Sequence, residues 1–167
     1  MLFIILIAII LFYSYISLIL IKYGIPNSIS DSYYSLSKEL NIIFTVLFFT
    51  IAFILIVPWI ELSSEKYQVL IFLSVAGIGF VGAAPLFNSG GAQTIVHYGG
   101  AGLALLCSTL WIFLDTVYWY IPLITYGLSI IPILINRKQL LFWMEMAAFN
   151  NVFIINLVSY YDYLFFK

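Results

Sequence analysis

The chain has 167 residues, of which 65% are hydrophobic and 8% charged, with a formal net charge of −1 and a mean hydropathy of +1.15. Soluble domains carry about 25% charged residues, and one this apolar would expose large adhesive patches, so the composition implies the bilayer as solvent. The weak net charge leaves no basic field for nucleic acid. One histidine and one cysteine (Cys107) exclude an internal disulfide and fall short of the three or four ligands of a zinc site, so no metal and no cofactor are expected.

At roughly 20 residues per crossing, the length predicts an all-α polytopic membrane protein, a single transmembrane domain of six helices over residues 1–167. Residues 2–22 form an apolar first helix with neither a basic leader nor a cleavage motif, so it is expected to be retained. Lys22 and Tyr23 end it at an interface, and Gly24 and Pro26 stop it. The longest polar stretch follows, residues 27–41. Within it Ser30 or Asp31 could N-cap a short helix reaching Lys38, with Tyr33, Tyr34 and Leu36 turned to lipid.

The second helix spans 42–60 and ends near Pro58 and Trp59, before a charged turn of Glu61, Glu65 and Lys66. The third spans 67–84 and is closed by Pro85. Asn88, Ser89, Gly90 and Gly91 supply the turn to a fourth helix at 94–114, which opens with the lone His97. Gly77, Gly79, Gly82 and Ala83 before this turn, and Gly99, Gly100, Ala101, Gly102 and Ala104 after it, predict a tight hairpin. Small residues let helix backbones approach where lipid removes the drive to expel water. Gly79, Ala83, Gly100 and Ala104 are the expected contacts.

Asp115 starts a short connection to a fifth helix at 117–135, with Pro122 in its first turns and Pro132 near its end. Asn136, Arg137 and Lys138 form the next turn, and the sixth helix runs over 140–165. Lys22, Lys38, Arg137 and Lys138 lie on odd-numbered connections, against Lys66 and Lys167 opposite. The positive-inside rule therefore puts the Arg137–Lys138 loop in the cytoplasm, and a bacterial inner membrane is the expected location.

Ionisable groups inside a membrane are costly enough that each is a functional candidate. Glu145, Asn156 and Ser159 fall near one face of the sixth helix and make a polar stripe. Glu145 could equally reach headgroups or be neutralised by Arg137 or Lys138. Asn150 and Asn151 point elsewhere and are expected to bond neighbouring helices. His97 could act as a base, bind an anionic headgroup or cap a backbone carbonyl. Ser108, deeper on its face, is expected to bond back to its own helix. Ser30 and Asp31 lie on the same membrane side as His97, because both sites follow odd-numbered crossings.

Three elements together resemble a known pattern: Pro26 with Ile29, Ser30 and Asp31; Gly82, Ala83, Ala84 and Pro85; and His97 with Ala101. They are similar to the DRAM-like six-helix membrane proteins and their bacterial relatives of unknown function. That resemblance implies that Ser30, Asp31 and His97 converge at one membrane face. A more distant similarity is to the CREST membrane hydrolases, which combine Ser, Asp and several histidines around zinc. This chain has one histidine, which disfavours metal-dependent lipid hydrolysis.

The expected function is lipid or amphiphile binding at Ser30, Asp31 and His97, in lipid handling or membrane homeostasis, with membrane lipids as partners. Three alternatives remain. One is a small transporter or channel subunit using the Glu145 stripe, and another is a structural subunit with a homo-oligomer or membrane-complex partner. The last is an enzyme built on an Asp31–His97 pair.

Overall fold

A computed structural model describes residues 1–166; Lys167, counted above among the charges of one side, lies outside the described residues. Among them the fold is all-α, with no strand. The helices are α1 (Leu2–Tyr23), α2 (Ser32–Ser35), α3 (Ile42–Glu61), α4 (Gln68–Ala83), α5 (Ala92–Asp115), α6 (Tyr120–Ile135) and α7 (Leu140–Phe166). Single 3₁₀ turns precede α4 and α7 and interrupt the α4–α5 connection. Among the described residues, five helices are long and apolar enough to cross a membrane, and α6 is a shorter apolar one.

Each long helix buries one stripe at helical spacing. In α1 it is Ile5, Ala8, Phe12, Tyr15, Ile16 and Ile19, and in α3 it is Phe44, Phe48, Ile51 and Leu55. The opposite faces are equally apolar: Phe3, Ile10 and Ile21 on α1, and Phe53 and Val57 on α3, are exposed. Helices α3, α4 and α5 pack in series, α1 lies against both α3 and α7, and α6 rests mainly on α7.

The α4–α5 hairpin is the most extensive contact in the molecule. A Cβ built on Gly77 would stand 2.5 Å from the Gly100 carbonyl oxygen and 2.6 Å from the Ala104 nitrogen, and one on Gly100 would stand 2.8 Å from the Gly77 oxygen. The seam is therefore Gly77, Gly100 and Ala104, tightened by the Ser74 hydroxyl donating to the Ala104 carbonyl at 2.8 Å. Gly79 and Ala83, expected in this seam, are not part of it. Gly79 faces Phe49 of α3 and Ala83 is exposed, because they lie two residues out of phase with Gly77 and Val81. The turn itself needs Gly90 and Gly91, whose φ values of 81° and 67° are accessible to glycine at little cost.

Two further expectations are corrected. Helix α6 begins at Tyr120 rather than 117, because Thr116 is extended and Tyr118 is drawn aside to donate from its hydroxyl to the Asp162 carboxylate at 2.5 Å. That leaves 16 residues, about 24 Å of helix, against a hydrocarbon core of about 30 Å. The helix in the first connection stops at Ser35 instead of reaching Lys38, and Leu36 is buried in the core rather than turned outward. Asp31 sits at its N-cap position without a side-chain cap bond.

Candidate functional site

The chain between α1 and α2 folds over the mouth of the α4–α5 hairpin and is anchored from three directions. From α1, the Tyr15 hydroxyl bonds Ser32 Oγ at 2.5 Å, while Ser32 in turn donates to the Ile29 carbonyl. From α7, the Phe142 backbone N–H donates to the Asn27 carbonyl at 2.9 Å, and the Glu145 carboxylate accepts from the Ile29 N–H at 2.5 Å. From the hairpin, the Asn88 N–H donates to the Tyr34 hydroxyl at 2.9 Å, with the Tyr34 ring edge-on to Phe87. Ser28 closes the loop on itself by accepting from the Asp31 N–H.

A further anchor from the hairpin side is His97. Pro85 has no N–H to offer the Val81 carbonyl one turn back, so the end of α4 leaves carbonyls without helical donors. The His97 ring fills that gap. Its Nδ1 is 2.9 Å from the Ala84 oxygen, and the Val81 carbonyl also bears on it. Its Nε2 is 3.0 Å from Ser30 Oγ. A carbonyl can only accept, so Nδ1 carries the proton in the neutral ring, and Nε2 is then an acceptor to which Ser30 donates. Phe87 stacks on the ring at 4.2 Å and 21°, and Tyr98 meets it edge-on. Both members of the pair are buried, Ser30 5% and His97 2% exposed.

Helices α5 and α7 touch only sparsely. Between them and α4 lies a partly open cavity of about 460 Å³. Gly102, which has no side chain, and the small Ala101 and Ala148 leave room along its wall, and Val81, Leu105 and Phe149 make it apolar. Ser74 and Ser108 also line it, but their hydroxyls are spent on the Ala104 and Leu105 carbonyls. The polar end is formed by Ser28, Ser30, Asp31, His97 and Glu145. Gly102 and Leu105 on the wall are exposed.

Ser30, Asp31 and His97 are therefore brought to one cavity. It is Ser30, not Asp31, that bonds the imidazole; Asp31 lines the cavity and its charge acts on His97 through space. Glu145 belongs to this cluster rather than to a stripe along α7. Asn156 is fully buried, its amide donates to the Val152 carbonyl, and neither it nor Ser159 lines the cavity. Asn150 and Asn151 do bond neighbouring helices: Tyr13 of α1 donates to Asn150, and Thr125 of α6 donates to Asn151 at 2.5 Å. The partnership of Glu145 with Ile29 went unread in the sequence. Its signal was available, since both lie beside odd-numbered connections and so at one end of the bundle.

Among the described residues, no group of three or more His, Cys, Asp or Glu is placed to hold a metal ion. Comparison of the chain with protein-family models, with curated proteins and with solved structures finds no match.

Proposed function

We propose that the chain is an integral membrane protein with six membrane-embedded helices that binds a lipid or single-chain amphiphile, and serves in lipid handling or membrane homeostasis. The observation that carries this reading is the cavity of about 460 Å³, apolar along its wall and polar at one end. That volume is within the ~300–1,000 Å³ of small-molecule sites, and a greasy wall with a few convergent polar groups is their usual composition. The apolar chain of the ligand lies along Val81, Leu105 and Phe149, and its headgroup meets Ser30, His97 and Asp31. Outward faces as apolar as the buried ones support bilayer insertion, because helices hydrophobic all round need a nonaqueous surrounding. The resemblance to the DRAM-like proteins implies the same meeting of Ser30, Asp31 and His97 at one face, and no activity. The Arg137–Lys138 loop, and with it the polar end of the cavity, faces the cytoplasm of a bacterial inner membrane.

Filling the cavity tests the assignment. No atom lies within 4 Å of a Cβ placed on Gly102, so Gly102→Trp can occupy the space without a backbone clash. Delipidated protein in detergent should bind a fluorescent lysophospholipid saturably, and Gly102→Trp should abolish that binding while keeping the wild-type melting profile. Unchanged binding in a folded Gly102→Trp protein would sink the proposal.

A further inference from the structure

The geometry points to Ser30 as a nucleophile activated by His97, and we propose that the chain cleaves a carboxylic ester of the amphiphile held in its cavity, with water as the final acyl acceptor. This rests on the cavity being a lipid site, and it adds chemistry to what is otherwise a binding role.

An activated serine needs a base within hydrogen-bond reach, and the base needs a third group that holds its ring and its tautomer. All three are present. Ser30 Oγ is 3.0 Å from Nε2, and the Ala84 carbonyl, 2.9 Å from Nδ1, fixes the proton on the far side of the ring. Phe87 stacked at 4.2 Å prevents the ring from swinging away. Such restraint places the proton acceptor before substrate arrives, so little ordering is left for the reaction itself. The loop bearing Ser30 is equally held, through Ile29 to Glu145 and through Ser32 to Tyr15. Burial of His97 disfavours the imidazolium that forms when it takes the proton, and the Asp31 carboxylate lining the same cavity partly offsets that penalty. A hydrogen bond serving only to pin the loop would not need to open onto a cavity, yet both Ser30 and His97 line it.

The reaction balances as follows. Ser30 Oγ attacks the ester carbonyl carbon as its proton passes to His97 Nε2. The tetrahedral adduct breaks its bond to the alcohol oxygen, which leaves with the proton from His97. Water then attacks the acyl-Ser30 carbonyl and gives its proton to Nε2. The acyl–Oγ bond breaks, Ser30 recovers the proton, and the net change is ester plus water to carboxylic acid plus alcohol.

The test uses the full-length protein in phosphatidylcholine–phosphatidylglycerol nanodiscs and a dodecyl fluorophosphonate, which phosphonylates activated serines. Intact-mass and peptide mapping of the wild type should find one adduct, on Ser30. His97→Gln should slow labelling by roughly 100-fold or more, the usual contribution of a positioned base, and Ser30→Ala should abolish it. The fluorescent lysophospholipid is measured in parallel. A wild type that binds it but gives no adduct on Ser30, or a His97→Gln variant labelled at the wild-type rate, overturns the nucleophile and leaves the binding role standing. Labelling of Ser30 without lysophospholipid binding upholds the nucleophile and overturns the lipid cavity. Mapping on the wild type decides the matter even where a variant fails to fold.

Discussion

Gly77→Ala puts a methyl group into the narrowest point of the α4–α5 seam. Its Cβ would lie 2.5 Å from the Gly100 oxygen and 2.6 Å from the Ala104 nitrogen, where ordinary contact begins at 3.4 Å, a shortfall of about 0.9 Å. Both obstacles are backbone atoms, so no side chain can rotate away and the helices must part. Overpacking of this kind costs about 1–3 kcal/mol. Parting also stretches the 2.8 Å bond from Ser74 to the Ala104 carbonyl, worth about 1 kcal/mol. Against this, alanine gains up to about 1 kcal/mol over glycine inside a helix. The balance is a loss of about 1–3 kcal/mol, a fall of roughly 2–12 °C at about 2–4 °C per kcal/mol for a chain of this size. Thermal denaturation in one detergent, followed by tryptophan fluorescence and by loss of the monodisperse elution peak, measures it. Gly99→Ala is the control, since nothing lies within 4 Å of its Cβ. Equal melting temperatures for Gly77→Ala and Gly99→Ala would refute the account of the seam.

Glu145→Gln keeps an oxygen for the Ile29 N–H and should leave the loop in place. Glu145→Leu strands that N–H at a cost of about 1–3 kcal/mol, and should speed hydrogen exchange of residues 28–31; equal exchange in the two variants would contradict this. Asn150→Leu removes the partner of Tyr13 and should cost about 0.5–1.5 kcal/mol with an added Tyr13→Phe change producing little further loss; additive losses would show that the two groups act separately. The Tyr118 phenol is pushed up to about 12, first by its hydrogen bond to Asp162 and then by burial and that carboxylate's charge. Because the raised value belongs to the folded state, the bond's stabilisation is complete below about pH 10 and fades as pH rises towards 12. Ultraviolet titration, with Tyr118→Phe subtracted, should show Asp162→Asn moving this transition down; no movement would remove Asp162 as its cause.

Most of the helical architecture was legible in the sequence because its punctuation is local. Gly24, Pro26, Pro85 and the Asn136–Lys138 turn act on the backbone wherever they occur, and the apolar runs between them admit few alternatives. The start of α6 was less legible: Val117, Tyr118 and Trp119 are as apolar as a helix interior, and they turn aside through the extended Thr116, whose hydroxyl accepts from the Tyr118 N–H, together with the distant Asp162 that holds the Tyr118 hydroxyl. The same limit governs the candidate site. Parity of crossings places Ser30, Asp31 and His97 at one end, but which of the neighbours Ser30 and Asp31 reaches the imidazole depends on how the loop is tied to Tyr15 and Glu145. Those ties join residues separated by up to 116 positions, and a hydropathy pattern carries no record of which helices are adjacent. Gly77 and Gly79 were indistinguishable for a related reason, since composition identifies a small-residue helix but not the phase of its contact face.

The shortness of α6 has a consequence for the surrounding lipid. Its 16 residues reach about 24 Å, so a core of about 30 Å has some 6 Å of acyl chain to absorb along that flank. Trp119 and Tyr120 at one end and Arg137 and Lys138 after the other are residue types that favour membrane interfaces, and in the proposed arrangement they would hold both ends of the helix there. In the membrane-embedded arrangement proposed above, the neighbouring leaflets would thin along this flank, at fractions of a kcal/mol for each ångström. The chain should accordingly be most stable in bilayers of short-tailed phospholipids and should partition toward thin regions of a mixed membrane, with α6 as the flank that reads the thickness.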